Sequence, residues 1–389
     1  MSIFNPRPCG VLSILLACLA SMLYAEGLPL AQPEAVGFAA ERLAQIDEVV
    51  AAGLHDGEMA GAVVCIGRQG KIAYLKAYGD RQIEPAKIDM TVDTVFDMAS
   101  ITKPVATATS VMLLIERGTL KLSDRVAEHI PEFAQNGKET VTIEDLLLHQ
   151  SGLTPDNALD DYLAGPAKAI ENVNTLSLRE QPKTKFMYSD VGFIVLAELI
   201  KKKTGQDVHQ FSQENLFRPL GMTETGYLPA QELRERSAAT EQRDGHWMVG
   251  EVHDPRAYHL GGIAGHAGLF STAQDLAVFA QTLLNRGEYG GKRIVAPETL
   301  DVMTASHEVS SGIRGLGWDK QTGYSSNKGE GFSDRAFGHG GFTGTTFWVD
   351  PELDLFVIFL SNRLHPDGKG TVNKLAGRIG TIVADALER

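Results

Sequence analysis

Ser100 and Lys103 stand three residues apart in the stretch DMASITKPVATAT, Asp97 to Thr109. A serine hydroxyl attacks a carbonyl only when a base takes its proton, and an ammonium one helical turn away can touch and polarise it. The residues after Lys103 carry helical periodicity, so both side chains fall on one face. Pro104 suits a first helical turn, where an NH has no internal partner, and a helix start adds positive potential beside Ser100. The spacing alone is weak, since roughly one Ser-x-x-Lys is expected by chance in a chain this long. Ser325 and Lys328 repeat it, but in the Gly-rich loop TGYSSNKGEG, where no helix is expected to align them.

A base for Ser100 has to come from elsewhere. No Gly-x-Ser-x-Gly turn encloses Ser100, which argues against the serine, histidine and acid arrangement of α/β-hydrolases. Tyr188, in FMYSDVGF, precedes a helical pattern, and a tyrosinate held beside Lys103 could accept the serine proton. Tyr78-Gly79-Asp80 has the same spelling but ends a strand and is set aside. The third segment is HGGF, where Gly340 and Gly341 between His339 and Phe342 permit close backbone approach. An NH there can join the NH of Ser100 around a developing oxyanion.

Two other clusters have plainer readings. Asp275 follows Thr272 by three residues and reads as half of a capping box. His253, Asp254, His259 and His266 lack a His-Glu-x-x-His spacing and cross glycines, so they read as an ordered loop near the cleft, with no metal or other cofactor expected. A plain helix cap at Ser100 and a core aromatic at Tyr188 are the bland alternatives. The order of the three segments favours chemistry.

These segments, with LLLHQSGL from Leu146, GHAGLFSTAQDLA from Gly265 and GHGGFTGTTFWVD followed by FLSN, resemble the class C β-lactamase-related serine hydrolases, which include penicillin-binding proteins, DD-peptidases and esterases. The resemblance implies a β-lactamase/transpeptidase-like α/β (α+β) fold, an antiparallel sheet flanked by helices with a mostly helical inserted region. It implies Ser100 as the acylated nucleophile, Lys103 as its activator, Tyr188 as the base, and the NH groups of Ser100 and Phe342 as the oxyanion hole. Substrate binding would involve Asp190, His339, Gly340 and Gly341. Two departures matter. The family's Tyr-x-Asn is Tyr188-Ser189-Asp190, and its Lys-Thr-Gly is His339-Gly340-Gly341. An anion at Asp190 favours a charged Lys103. An imidazole at position 339 is expected to gain charge only below about pH 6.5, weakening the grip on a substrate carboxylate and shifting the expectation from β-lactams toward esters or amides. The alternative is a noncatalytic ligand sensor on the same fold.

The elements that must position these residues are legible by pattern. A helix carrying Leu43, Ile46, Val50 and Leu54 precedes a hairpin formed by GAVVCIG (from Gly61) and KIAYLKAYG (from Lys71). At the other end, GHGGFTGTTFWVD and LFVIFLSN form a second strand pair before a helix from about Asn373 to Leu387. Helices are predicted over Thr107 to Glu116, Thr142 to His149 with a Thr142/Asp145 capping box, and Gly192 to Lys203. The expectation is one catalytic domain over 26–389, with sheet from about 33–104 and 300–389 and a mostly helical region about 105–299.

The chain has 389 residues, 43% hydrophobic and 22% charged, with a net charge of -13 and a sequence pI near 5.3. That balance argues against a nucleic-acid or anionic membrane surface and points to a small-molecule or short-peptide substrate. Arg7 followed by the apolar run Val11 to Leu23 and a small residue at Ala25 reads as a signal peptide over 1–25, predicting export to the periplasm or outside the cell. Cys18 after Leu16 and Ala17 fits a lipidation site poorly, so strong membrane binding is not expected. Without the leader, Cys65 is the remaining cysteine, predicted to be a buried thiol.

Overall fold

The computed structural model describes Met1 and residues 27–388. The signal peptide predicted over residues 1–25, with Cys9 and Cys18, lies outside the described residues except for Met1. The principal sheet takes strands from both ends of the chain: β1 (Gly61–Arg68), β2 (Lys71–Gln82) and β3 (Ile88–Asp89), then β4 (His307–Val309), β5 (Gly312–Arg314), β6 (Asp319–Gln321), β7 (Phe337–Gly341), β8 (Thr345–Asp350) and β9 (Leu355–Ser361). Their order across the sheet is β4-β5-β6-β7-β8-β9-β1-β2-β3, antiparallel throughout.

β1 pairs with β2 on one edge and β9 on the other, so it reads as a nearly continuous apolar run. Alternation still divides its side chains: Val63 and Cys65 face the larger core with Phe356, Ile358 and Leu360, while Val64 and Ile66 face the smaller one with Leu355, Val357 and Phe359. Cys65 is buried, and burial pushes its thiol well above the ordinary range.

Helices cover both faces. α1 (Gln45–His55) packs Ile46, Val49 and Val50 into the smaller core with the closing helix Asn373–Asp385. The predicted single first helix is in fact two pieces, Ala40–Leu43 and Gln45–His55, joined at Ala44, and Leu54 is only partly buried. On the other face, α2 (Thr109–Glu116) follows a π-helical turn over Lys103–Ala108, so the helical path starts earlier than the predicted Thr107. α3 (Ile143–Leu147) begins at the predicted Thr142/Asp145 box, with both reciprocal bonds formed. α4 (Asp190–Thr204) is capped by Ser189 and stopped by Gly205 in the left-handed region. α5 (Ala273–Leu284) lies against β9, β1 and β8.

Asp275 departs from expectation. Thr272 caps α5 through Asp275 NH at 3.3 Å, but the Asp275 carboxylate turns away to accept from Glu224 NH at 2.9 Å and Thr225 Oγ1 at 2.8 Å. The reciprocal half of the box is replaced by a bond to a distant segment, and burial raises this carboxyl to about 6. The mostly helical region also contains short strands, including Phe96–Asp97 beside Leu269–Ser271. No helix of the described residues is long and apolar enough to cross a membrane.

Candidate active site

Ser100 sits in a single 3-10 turn, Ala99–Ile101, directly after the strand Phe96–Asp97. The turn is entered under strain, since Ala99 has φ of 44°, the left-handed region that costs a non-glycine residue about 1–2 kcal/mol. Asp97 holds it there. One carboxylate oxygen accepts from Ala99 NH at 2.8 Å and the other from His253 NH at 2.7 Å. The β7–β8 turn closes on the same segment, with Thr343 Oγ1 donating to Asp97 carbonyl at 2.7 Å and Thr345 Oγ1 to Met98 carbonyl at 3.2 Å. Gly341 makes this approach possible, because a Cβ there would lie 2.5 Å from Met98 carbonyl oxygen. The backbone at Phe342, just beyond β7, is thereby brought to the Ser100 turn.

Lys103 is fully buried and its ammonium has two hydrogen-bond acceptors and an ion-pair partner. It donates to Ser100 Oγ at 2.8 Å and His266 carbonyl at 3.1 Å, and pairs with Asp190 Oδ1 at 2.7 Å. Burial alone would lower its pKa, but Asp190 and Tyr188 outweigh it and hold Lys103 above the usual lysine range. The His266 carbonyl arrives by another close approach. A Cβ on Gly265 would lie 2.0 Å from the carbonyl oxygen of Phe193 on α4. The GHAG segment therefore needs glycine there.

Tyr188 precedes the α4 cap, its hydroxyl within reach of Lys103 and Ser100 and its ring 4.8 Å from Lys103 Nζ. Burial raises its pKa; Lys103 opposes this and Asp190 adds to it, leaving the phenol above its ordinary value. The ring is stacked between His149 at 4.4 Å and Tyr324 at 4.9 Å. His149, the histidine of LLLHQSGL, accepts from Ser189 NH at Nδ1, 3.0 Å, and so aligns the turn carrying Tyr188. Burial first, then Arg314 and Lys103, keep its imidazole neutral well below pH 6.5.

His339 corrects an expectation. It is 4% exposed, its Nδ1 bonds to Gly340 carbonyl at 2.7 Å, and its Nε2 has no partner among the described residues. Burial, then Arg314 and Lys103, hold its pKa well below 6.5, so it does not become a cation near that pH. The sequence signal was the residue type alone; the depth and the two neighbouring cations come from distant segments. Gly340 and Gly341 do line the cleft with His339. Arg314 went unnoticed in the sequence, as did Tyr324, Asn327 and Arg363 on the cleft walls.

Ser100 opens to two lobes. One, of about 520 Å³, is lined by Tyr324, Asn327, Phe342 and Arg363 among others; the other, of about 670 Å³, carries Asp156, Asp190, His253, Asp254 and Arg256. Phe342 is 61% exposed, with its ring stacked on His253 at 5.7 Å and under the Arg363 guanidinium at 4.5 Å. The alternative Ser325 and Lys328 do not meet: Ser325 Oγ donates to Asp319 at 2.8 Å and Lys328 Nζ to Lys320 carbonyl at 3.0 Å. Tyr78 bonds Asp47 at 2.6 Å, in contact with the smaller core. In the histidine loop, Asp254 pairs with His266 at 2.9 Å and caps the helix Pro255–His259, while His253 turns to Glu241. Asp190, Asp254 and His266 place ligand-type atoms within 4.8 Å of one another, but Asp190 is already paired with Lys103 and Asp254 with His266.

A sheet built from both chain ends, with a helical region supplying Tyr188 opposite a Ser-x-x-Lys turn, defines a serine hydrolase of the penicillin-recognising kind. The chain belongs to the Beta-lactamase family, whose profile matches residues 46–380. It is 33% identical over 370 residues to an Escherichia coli (strain K12) protein that carries the name of a D-alanyl-D-alanine carboxypeptidase, spanning 86% of this chain and 85% of that one. It is likewise 33% identical over 372 residues to a Bacillus subtilis (strain 168) protein named N-acetylmuramyl-L-alanine amidase, spanning 85% and 83%. Among solved structures, a penicillin-binding protein homologue from Caulobacter crescentus superposes with a TM-score of 0.73 at 21% identity over 90% of this chain and 99% of that one. A class C β-lactamase gives 0.72 at 14% identity, covering 90% and 97%.

Proposed function

We propose that this chain is an exported serine hydrolase that works through an acyl-enzyme on short esters or amides, with Ser100 as nucleophile, Lys103 as activator and Tyr188 as general base. The carrying observation is the buried, ion-paired Lys103 ammonium held above the usual lysine range. As an ammonium paired with Asp190 and donating to Ser100 Oγ and the His266 carbonyl, it has no lone pair with which to take the serine proton, which favours the Tyr188 oxygen. In this reading Ser100 Oγ attacks the carbonyl as Tyr188 removes its proton. The tetrahedral oxyanion is met by the NH groups of Ser100 and Phe342, and Tyr188 returns the proton to the leaving group. Water, deprotonated by the same base, then releases the acyl group.

The charge of the two lobes guides the substrate reading. His339 is neutral, and the lysine or arginine lining the smaller lobe is Arg363, half-buried and donating to the Phe342 and Gly370 carbonyls. The larger lobe has Asp156, Asp190 and Asp254 against Arg256. A β-lactam carboxylate would find no buried fixed cation on the wall of the smaller lobe, whereas a neutral ester or an amide with an amino group on its acyl side has no such need. The relatives' names, a carboxypeptidase and an amidase, support amide substrates of the short-peptide kind.

A phosphonate ester should add mass to one peptide containing Ser100 and none containing Ser325. A chromogenic ester should be turned over by the intact protein and not by Ser100→Ala. Label confined to Ser325, or undiminished turnover in Ser100→Ala, would sink the assignment. Export rests on the run Val11 to Leu23 and is tested by sequencing the amino terminus of the fractionated protein, expected at Glu26.

A further inference from the structure

Tyr188 acting as a base must carry negative charge on its oxygen, and burial opposes that charge. Lys103 is the nearest cation, but much of its field is taken by Asp190 at 2.7 Å, and that carboxylate itself disfavours a tyrosinate. A second positive charge lies behind the aromatic wall. Arg314, the last residue of β5, is fully buried, and its Nε, Nη1 and Nη2 have no hydrogen-bond partner among the described residues. Its guanidinium stands 5.5 Å from the ring of Phe186, which packs edge-on against His149 at 6.0 Å and Tyr324 at 6.2 Å, the two rings that sandwich Tyr188. The carboxylate beside it, Asp319, is 3.5 Å away and already accepts from Lys320 NH, Thr322 Oγ1 and Ser325 Oγ. An arginine is a poor choice for mere packing, since taking a guanidinium out of water costs several kcal/mol and a single 3.5 Å ion pair without hydrogen bonds repays little of it.

We propose that Arg314 is a positioning residue for the hydrolysis, supplying from behind the Phe186–Tyr324 wall the second positive charge that favours the ionised form of Tyr188. The groups facing Tyr188 are Ser100 and Lys103 from the Ser-x-x-Lys turn, Asp190 from α4, His149 beyond α3, His339 from β7, Tyr324 from the loop after β6, and Arg314 from β5. Both histidines are held neutral, partly by Arg314 itself, so Arg314 and Lys103 are the cations of this set at neutral pH. Arginine does not lose its proton in proteins, which makes this charge constant across the working pH range.

The proposal rests on Tyr188 as the base, and the test separates the two claims. kcat/KM for a neutral ester is measured between pH 7 and 9 in the intact protein, Arg314→Met, Arg314→Lys, Tyr188→Phe and the Arg314→Met/Tyr188→Phe double variant, with thermal melts of each. Arg314→Met should melt lower, since it leaves buried Asp319 without its cation, but remain folded at the assay temperature and lose about tenfold in kcat/KM, one pKa unit on the base. Arg314→Lys should recover most of that. In the Tyr188→Phe background the Met substitution should change kcat/KM by less than about twofold, because the phenol it acts on is gone. An equal loss in both backgrounds, or no loss in a folded Arg314→Met, overturns the proposal while leaving Tyr188 as base. Near-normal turnover in Tyr188→Phe overturns both. If Arg314→Met does not fold, Arg314→Gln is read in the same way; if neither neutral variant folds while Arg314→Lys does, the charge serves the fold and the proposal fails.

Discussion

Asp190 stands where the family usually has a neutral amide, and its consequence can be worked out from one contact, the 2.7 Å pair with buried Lys103. Asp190→Asn should destabilise the protein by about 3–5 kcal/mol, the usual result of leaving one partner of a buried pair uncompensated. Lys103 has a folded pKa above its unfolded value, so its stabilisation is complete below about pH 10.4 and lost only as pH rises through the folded value. The parent's share should therefore be constant from pH 6 to 9, but in Asp190→Asn burial is no longer outweighed and lowers the Lys103 pKa, so in denaturant titrations the deficit should be largest at pH 6 and shrink toward pH 9; a deficit that grows toward pH 9 would contradict a charged Lys103 in the parent. The same substitution removes an anion facing Tyr188, so the surviving activity should rise at lower pH than in the parent. Tyr188→Phe should cost about 10²-fold or more in kcat/KM, the scale on which a general base contributes. His339 gives a negative expectation: because burial keeps it neutral, the ratio of kcat/KM for a carboxylate-bearing substrate to that for a neutral ester should stay flat from pH 8 to 6. A relative gain for the carboxylate substrate near pH 6.5 would show that His339 charges after all.

The strand β7 shows what is positional about this site. It ends at Gly341, where the space for a Cβ is already taken by Met98 carbonyl oxygen and Thr345 Oγ1 at 2.5 and 2.2 Å. Gly341→Ala must push the strand end off the Ser100 turn, and with it the Phe342 NH. kcat should fall by about 10²-fold or more, as when an oxyanion donor is removed, while the melting temperature drops only modestly. A wild-type kcat in this variant would remove Phe342 NH from the oxyanion hole. Local pattern made much of this framework readable: the hairpin β1–β2, the Thr142/Asp145 box, α4 and the final helix follow from periodicity and caps within a few residues. Ser100, Lys103 and Tyr188 were readable because each lies in a short local motif. What escaped depends on partners far along the chain. Asp97 matters through His253 NH, His149 through Ser189 NH, and Arg314 through rings at Phe186, Tyr188 and Tyr324. Nothing local to Arg314 says that it is buried. His339 failed for the same reason.

For the molecule as a whole, His149 and His339 are buried neutral groups that an unfolded chain would protonate below about pH 6.5. Their folded pKa values are depressed, so the stability they represent is present above that pH and lost as pH falls. His339→Gln should accordingly reduce the slope of melting temperature against pH between 6.5 and 5, and an unchanged slope would mean that His339 protonates in the folded protein. The order of the sheet has a consequence of another kind. β1 lies between β2 and β9, with Ala62 opposite Ser361, so a strand among the first to be synthesised waits for one almost 300 residues later before its second edge is covered. Until then Val63, Val64, Cys65 and Ile66 stand exposed on an open strand, and loop-closure entropy makes so remote a pairing slow. A nascent chain cut at about residue 350, before β9, should therefore stay protease-sensitive and bind a chaperone, and adding residues 351–388 should bring resistance in one step. Under the proposed export, a polypeptide that stays open until its last strand is made would suit passage through a narrow translocation channel.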